Sequence, residues 1–388
     1  MSRAYLDHAS TSPLRPAARE AMVRALGDLV GDPGRIHEEA MASRVALETA
    51  REQVASLVGA RAREVVFTSG ATEAIATAVA GAAARSIDRD VVGDGGRPHQ
   101  VITAVEHSAV RLAAERAGHV TVVPVGATGR VDADEVLDAI TEATAAVHVQ
   151  WGNHEVGTVQ PVAEVVAACR ERGVLVHIDA AQAVGRVEID FGALGADLLS
   201  LSGHKVGGPA GTGALLVRRG LRIPPLLLGG DQERGRRAGL EPVAALVGLG
   251  AAAAALEGSI AEEIVAARRR TDRLRAAAGT IDGVASYGDP DHRLPHLVCL
   301  GIEGVEPQGV LLGLDRSGVA AHSGSACSSE SLEPSPVLEA MGVDAHRSLR
   351  LSVGWSTSDA DVERAIEALP ATIGRLRSLA SDLAVGPE

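Results

Sequence analysis

The sequence predicts an α/β fold, with a mostly parallel sheet in a large unit followed by a smaller α+β unit. Short valine-rich apolar runs alternate with helical periodicities along most of the chain, the pattern of βαβ units. At 388 residues and 46% hydrophobic, the chain is long enough to bury two cores. Polar or glycine-containing turns follow several of the apolar runs, at the positions where open parallel sheets gather ligands.

Taken in order, Glu64–Thr68 reads as a strand and Thr72–Arg85 as the helix after it. Val101–Val105, Val120–Val125, Ala145–Val149, Val174–Ile178, Asp197–Leu201 and Gly213–Val217 repeat the strand signal, with helical patterns at Asp132–Thr141 and Pro161–Arg172. Ala244–Ala278 is a long Ala/Arg-rich helical passage interrupted near Gly258. His296–Ile302 and Leu349–Val353 read as strands of the smaller unit. There is no internal repeat and no long low-complexity linker.

Net charge is −13 and aromatics are only 2%, with no basic stripe interleaved with aromatics. Direct nucleic-acid binding is therefore not expected. The chain opens without a charged and apolar leader pattern and has no apolar run of about 18 residues. The expectation is a cytoplasmic protein with no membrane partner. Three widely spaced cysteines argue against a disulfide framework and against a metal site.

Lysine plus arginine total 37, and Lys205 is the only lysine. Arginine serves wherever a charge suffices, but guanidinium cannot form an imine, whereas a desolvated lysine amine can. Lys205 stands in Ser202-Gly203-His204-Lys205, directly after an apolar run. Phe67-Thr68-Ser69-Gly70-Ala71-Thr72-Glu73 carries a strand through a glycine turn into a helix. A helix start of this kind can hold a phosphate, and Ser/Thr followed closely by Glu is equally the signature of helix capping.

Asp179 closes the strand Val176-His177-Ile178-Asp179, followed by Ala180-Ala181-Gln182. A carboxylate there can hold a pyridinium nitrogen protonated; strand-end aspartates also cap helices. His107 follows another strand and can stack on a ring or shuttle a proton. Cys169 and Cys299 sit in apolar surroundings, whereas Cys327 lies among small polar residues in Ser323-Gly324-Ser325-Ala326-Cys327-Ser328, a context for a reactive thiol. Arg350 can fork onto a carboxylate.

These segments, with Tyr5-Leu6-Asp7-His8-Ala9-Ser10-Thr11-Ser12-Pro13, Glu106-His107 and Gln232-Glu233-Arg234-Gly235, resemble the NifS/IscS-like cysteine desulfurases. These are class V members of the fold-type-I pyridoxal-phosphate enzymes. The resemblance covers nearly the whole chain. It implies a large domain over residues 15–255 with a mostly parallel seven-stranded sheet, and a small domain from 1–14 and 256–388 carrying the cysteine loop.

The resemblance implies Lys205 as Schiff-base lysine, Asp179 on the ring nitrogen, His107 over the ring and Gln182 near the ring hydroxyl. Ala71, Thr72, Ser202 and His204 would hold the phosphate, His154 would contact the cofactor, and Arg350 with Asn153 would bind substrate. L-Cysteine would lose a Cα proton to the released Lys205 amine and its sulfur to the Cys327 thiolate. A persulfide on Cys327 and L-alanine would result, with His107 or the substrate-bound state taking the thiol proton. The persulfide would pass to an acceptor protein, an iron–sulfur scaffold or a thiolation enzyme. Members are usually homodimers with active sites near the subunit interface.

Three positions depart from the family pattern: His154 stands for an asparagine, Leu240 for a threonine lent across the dimer, and Trp355 for an arginine. Asn153 is the only asparagine in the chain. Two other functions stay compatible with these residues: a pyridoxal-phosphate lyase or transaminase without a catalytic thiol, and a sulfur-relay protein with impaired turnover.

Overall fold

The structure is a computed structural model that describes residues 3–323 and 334–384. Its central sheet has seven strands: β2 (Val65–Thr68), β3 (His99–Thr103), β4 (His119–Val123), β5 (Thr144–Gln150), β6 (Leu175–Asp179), β7 (Leu198–Ser202) and β8 (Gly213–Val217). Their order is β2-β8-β7-β6-β5-β3-β4. Only β8 runs against its neighbours; the other pairs, β7 through β4, are parallel. The carboxyl ends of β2, β3, β5, β6 and β7 therefore meet at one edge.

Parallel strands covered on both faces read as continuous apolar runs. Val101, Val147, Val149, Val176, Ile178, Leu199 and Leu201 accordingly form the buried core of this sheet. Aromatic side chains are scarce, so close backbone approach replaces bulk. A Cβ on Gly213 would lie 2.6 Å from the Gly70 Cα, and one on Gly250 would lie 2.6 Å from the Ala50 Cα. The helix Val243–Glu257 is apolar because much of it is buried, including its residues Gly248, Leu249, Ala252, Ala253 and Leu256. It bends by 75° into Ile260–Ala278, at the break expected near Gly258. Among the described residues no single helix is long and apolar enough to cross a membrane.

A second sheet orders β12 (Ser348–Ser352), β10 (Leu297–Ile302) and β9 (Val284–Tyr287), all antiparallel. The N-terminal β1 (Ala4–Tyr5) pairs in parallel with β11 (Val319–Ala320). Leu6, Val298, Leu300, Leu349, Leu351 and Val362 build a separate core here. β3 spans His99–Thr103 where the apolar run predicts Val101–Val105. Polar His99 and Gln100 join the ladder, and Ala104 and Val105 turn toward Glu106 and His107.

Candidate active site

A cavity of about 440 Å³ opens at the shared carboxyl edge of the parallel strands, within the usual size range of ligand pockets. Each predicted cofactor residue lines it: Ala71, Thr72, His107, His154, Asp179, Gln182, Ser202, His204 and Lys205, together with Arg350.

From β2 the chain passes through Gly70, at φ +157°, into the helix Ala71–Asp88. That backbone region is open to glycine almost alone. No side chain caps this helix end, so its first-turn amides have no intrahelical acceptor. Glu73 does not serve as a cap; it accepts from the Ser69 N–H at 2.9 Å and pairs with Arg237 at 3.0 Å. Of the two readings of this segment, the uncapped start leaves the amides available to an anion. From β7, Ser202 Oγ and His204 Nδ1 lie 2.9 Å apart. Burial, then the charge of Lys205, push the His204 imidazole down to about 4, so it is neutral at pH 7.

Lys205 ends the 3-10 turn Gly203–Lys205. Its Nζ donates to the Ala9 carbonyl and, at 2.9 Å, to the Ser10 carbonyl. Burial and then Arg350 push its amine down to about 8, against the pull of Asp7 and Asp179. Asp179 closes β6, and its Oδ1 accepts from the Ala181 N–H at 3.0 Å. Burial raises its carboxyl, while that bond and the charges of His154 and Lys205 oppose the rise. Gln182 is set by two partners: Nε2 donates to the Ala9 carbonyl at 2.8 Å, and Oε1 faces His296 Nε2 at 3.3 Å.

His107 caps the helix Ser108–Ala117, its Nδ1 accepting from the Ala109 N–H at 3.1 Å. With Nδ1 an acceptor, the neutral ring carries its proton on Nε2. Burial, then His154 and Lys205, push this imidazole down to about 3. His107 thus offers the cavity a donor, which runs against its use as acceptor for the thiol proton. His154 meets it edge-on, ring centroids 5.0 Å apart, with Nε2 3.4 Å from Glu155 Oε1.

Asn153 departs from expectation, being fully buried and absent from the cavity lining. Its Oδ1 accepts from the Glu155 and Val156 N–H groups at 2.8 Å each, and Nδ2 donates to the Val105 carbonyl at 3.3 Å. It shapes the turn that presents His154, with its amide bonded within the protein. Cys327 lies outside the described residues. His322 is described and lines the cavity, with its backbone paired to Arg350.

Two parts of the site enter the sequence reading only as motifs with no role assigned: the N-terminal strap Asp7–Ser10 and the buried Glu106. Ala9 and Ser10 hold the Lys205 amine, and Asp7 pairs with Arg350 at 3.1 Å. Nothing local marks them, because their partners are hundreds of residues away; only the N-terminal motif points there. Glu106 Oε1 accepts from Thr103 Oγ1 at 2.7 Å and the Gln150 N–H at 2.9 Å.

An uncapped helix start, a neutral Ser–His pair, a depressed lysine amine and a buried carboxylate thus meet at the carboxyl edge of a fold-type-I sheet. Residues 4–365 match the aminotransferase class-V family, and the chain belongs to it. It is 41% identical to a cysteine desulfurase of Enterobacter agglomerans, across 98% of this chain and 94% of that relative. A NifS-like protein from Rickettsia africae superposes with a TM-score of 0.85 at 27% identity, covering 96% of this chain and 99% of that one. A structure described as SspA in complex with cysteine matches with a TM-score of 0.78 at 29% identity, covering 90% and 98%.

Proposed function

We propose that this protein is a pyridoxal-phosphate-dependent cysteine desulfurase that converts L-cysteine to L-alanine and carries the sulfur as a persulfide on Cys327. The observation that carries this reading is the lone lysine, its amine depressed and buried at the carboxyl edge of the sheet beside Asp179 and Arg350.

The residues present fit pyridoxal phosphate. The first turn of Ala71–Asp88 with Thr72, Ser202 and His204 would take the phosphate. Asp179 would take the ring nitrogen, Gln182 the ring hydroxyl, His107 the ring face and Lys205 the aldehyde carbon. His154 would contact the group from β5's end. When bound, the cofactor supplies an electrophilic carbon and a ring that withdraws electrons.

The chain's own groups do the rest. Arg350, buried with a formal charge, orients the substrate carboxylate. The Lys205 amine, at about 8, is neutral in roughly a tenth of molecules at pH 7, against far fewer for an ordinary lysine. That amine takes the Cα proton. The Cys327 thiolate forms an S–S bond as the substrate C–S bond breaks, and the substrate leaves as L-alanine after protonation at carbon. Cys327 is five residues beyond His322, and five extended residues span about 17 Å, enough to bring the thiol to the cavity.

The finer reading is a cytoplasmic homodimer that delivers sulfur to an acceptor protein, an iron–sulfur scaffold or a thiolation enzyme. Residues 15–255 would form the cofactor-binding domain, and 1–14 with 256–388 the small domain. Exposed Ile36 and Leu240, each next in sequence to a residue lining one surface cleft, Arg35 and Glu241, support a second subunit covering that surface. The unpaired buried thiols of Cys169 and Cys299 support a reducing compartment.

With dithiothreitol and L-cysteine, the enzyme releases sulfide and L-alanine in equal amounts. Cys327→Ala abolishes both while keeping the visible absorbance of the bound cofactor. Sulfide release by that variant at the unsubstituted rate would rule out the persulfide route, and a keto acid in place of alanine would favour a transaminase.

A further inference from the structure

Arg350 is the largest fully buried side chain among the described residues, its side chain 2% exposed. Three of its five N–H hydrogens are already committed. Nη1 donates to the His154 carbonyl at 2.8 Å. Nη2 donates twice, to Asp7 Oδ1 at 3.1 Å and to Ser10 Oγ at 2.7 Å. The Ser10 hydroxyl donates in turn to the same Asp7 oxygen at 2.8 Å. Nε is buried with no partner among the described residues.

A carboxylate gripped in two places needs two parallel N–H groups on one edge of the guanidinium. Both edges able to do this, Nε with Nη2 and Nη1 with Nη2, include Nη2. Asp7 and Ser10 occupy both of its hydrogens. An incoming carboxylate therefore completes a bidentate grip only by displacing one of them, and the neutral hydroxyl is the easier to move. The Asp7 carboxylate then remains beside the new one, and two like charges within a few ångströms repel.

We propose that Asp7 and Ser10 form a resident stand-in for the substrate carboxylate on Arg350, and that the Asp7 charge sets how loosely an amino acid is held there. This rests on the reading of Arg350 as the carboxylate fork. Asp7 is a positioning residue in this scheme. It keeps the guanidinium aligned before substrate binds and lowers affinity for substrate and product alike. Ser10 couples the two halves of the site, since its hydroxyl meets Arg350 while its carbonyl accepts from Lys205.

The test measures equilibrium dissociation constants of L-alanine and L-alaninamide for the holoenzyme, followed by the cofactor's visible absorbance. L-Alaninamide carries the amine without the carboxylate. Asp7→Asn should bind L-alanine about three- to tenfold more tightly and leave L-alaninamide unchanged. Ser10→Ala should tighten L-alanine by roughly two- to threefold, and it carries the test alone if Asp7→Asn does not fold. Weaker or unchanged L-alanine binding in the folded variants would overturn the proposal. So would equal tightening of both ligands, or an unsubstituted enzyme that does not prefer L-alanine. Alanine formation from L-cysteine reads the desulfurase function separately: its absence would remove that function, while the two-ligand comparison would still report on Arg350.

Discussion

Counted along each strand, the buried His148, His177 and Ser200 form a lower row and Gln150, Asp179 and Ser202 an upper one, with Ser200 standing beside Asp179 in the β6–β7 register. The two rows are two residues apart on each strand and so share a face of the sheet. The lower row is closed. His177 Nε2 meets Ser200 Oγ at 2.7 Å, the two Nδ1 atoms of His148 and His177 are 3.1 Å apart, and His148 Nε2 faces Gln100 Oε1 at 2.9 Å. Burial holds both rings neutral, His148 near 3 and His177 well below the usual range. The upper row is open: Asp179 accepts from the Ala181 N–H, and both it and Ser202 face the cavity. Burial alone does not distinguish scaffold from site. What separates them is whether the hydrogen-bonding capacity of the buried groups is spent within the protein.

The comparison is broken most severely from the upper row. Asp179→Asn should lower kcat/KM for L-cysteine by roughly 10²–10³-fold with little change in melting temperature. The matching change one row down reverses the pattern. His177→Leu strands His148 Nδ1 and the Ser200 hydroxyl, and should cost about 2–4 kcal/mol of stability in denaturant unfolding. Its turnover per folded molecule should stay near that of the unsubstituted enzyme. A His177→Leu enzyme as inactive as Asp179→Asn would join the two rows into one functional unit.

Glu106 sharpens the boundary with a smaller effect. Burial pushes its carboxyl up to about 8, and the charge of Asp179 adds to the rise against the Thr103 and Gln150 bonds. Its folded value lies above its unfolded one of 4.5, so its stabilising effect is full at low pH. That effect is lost as pH rises through about 8. Glu106→Gln should therefore be more stable than the unsubstituted protein at pH 8, by about 1–2 kcal/mol once its unpartnered amide is counted. The gap should close near pH 4.5, as read by thermal melts across that range.

The same contrast explains which features are legible in the sequence. Runs rich in valine or leucine reveal the seven strands of the central sheet, because two-sided burial erases alternation and leaves continuous apolar segments. The apolar pattern starts β3 too late, since His99 and Gln100 look like a loop until their buried partners are known. The two-residue β1 and β11 leave no period to detect. Lys205, Asp179 and His107 are legible because each ends an apolar run with a chemically unusual residue. Asn153 is legible only as a rarity: it is the one asparagine in the sequence, but its bonds to Glu155, Val156 and Val105 are tertiary facts. Asp7 and Ser10 act on Arg350 more than three hundred positions away, a relation carried by the fold and by no local pattern.

The central claim is that the Lys205 amine is where the cofactor joins the chain. Borohydride reduction of the holoenzyme, followed by digestion and mass spectrometry, tests it with little ambiguity, because the chain offers no other lysine. The account predicts a pyridoxyl label on the peptide containing Ser202-Gly203-His204-Lys205 and none after Lys205→Ala. A label confined to the N-terminal amine, or no label on a protein that still turns over L-cysteine, would contradict it.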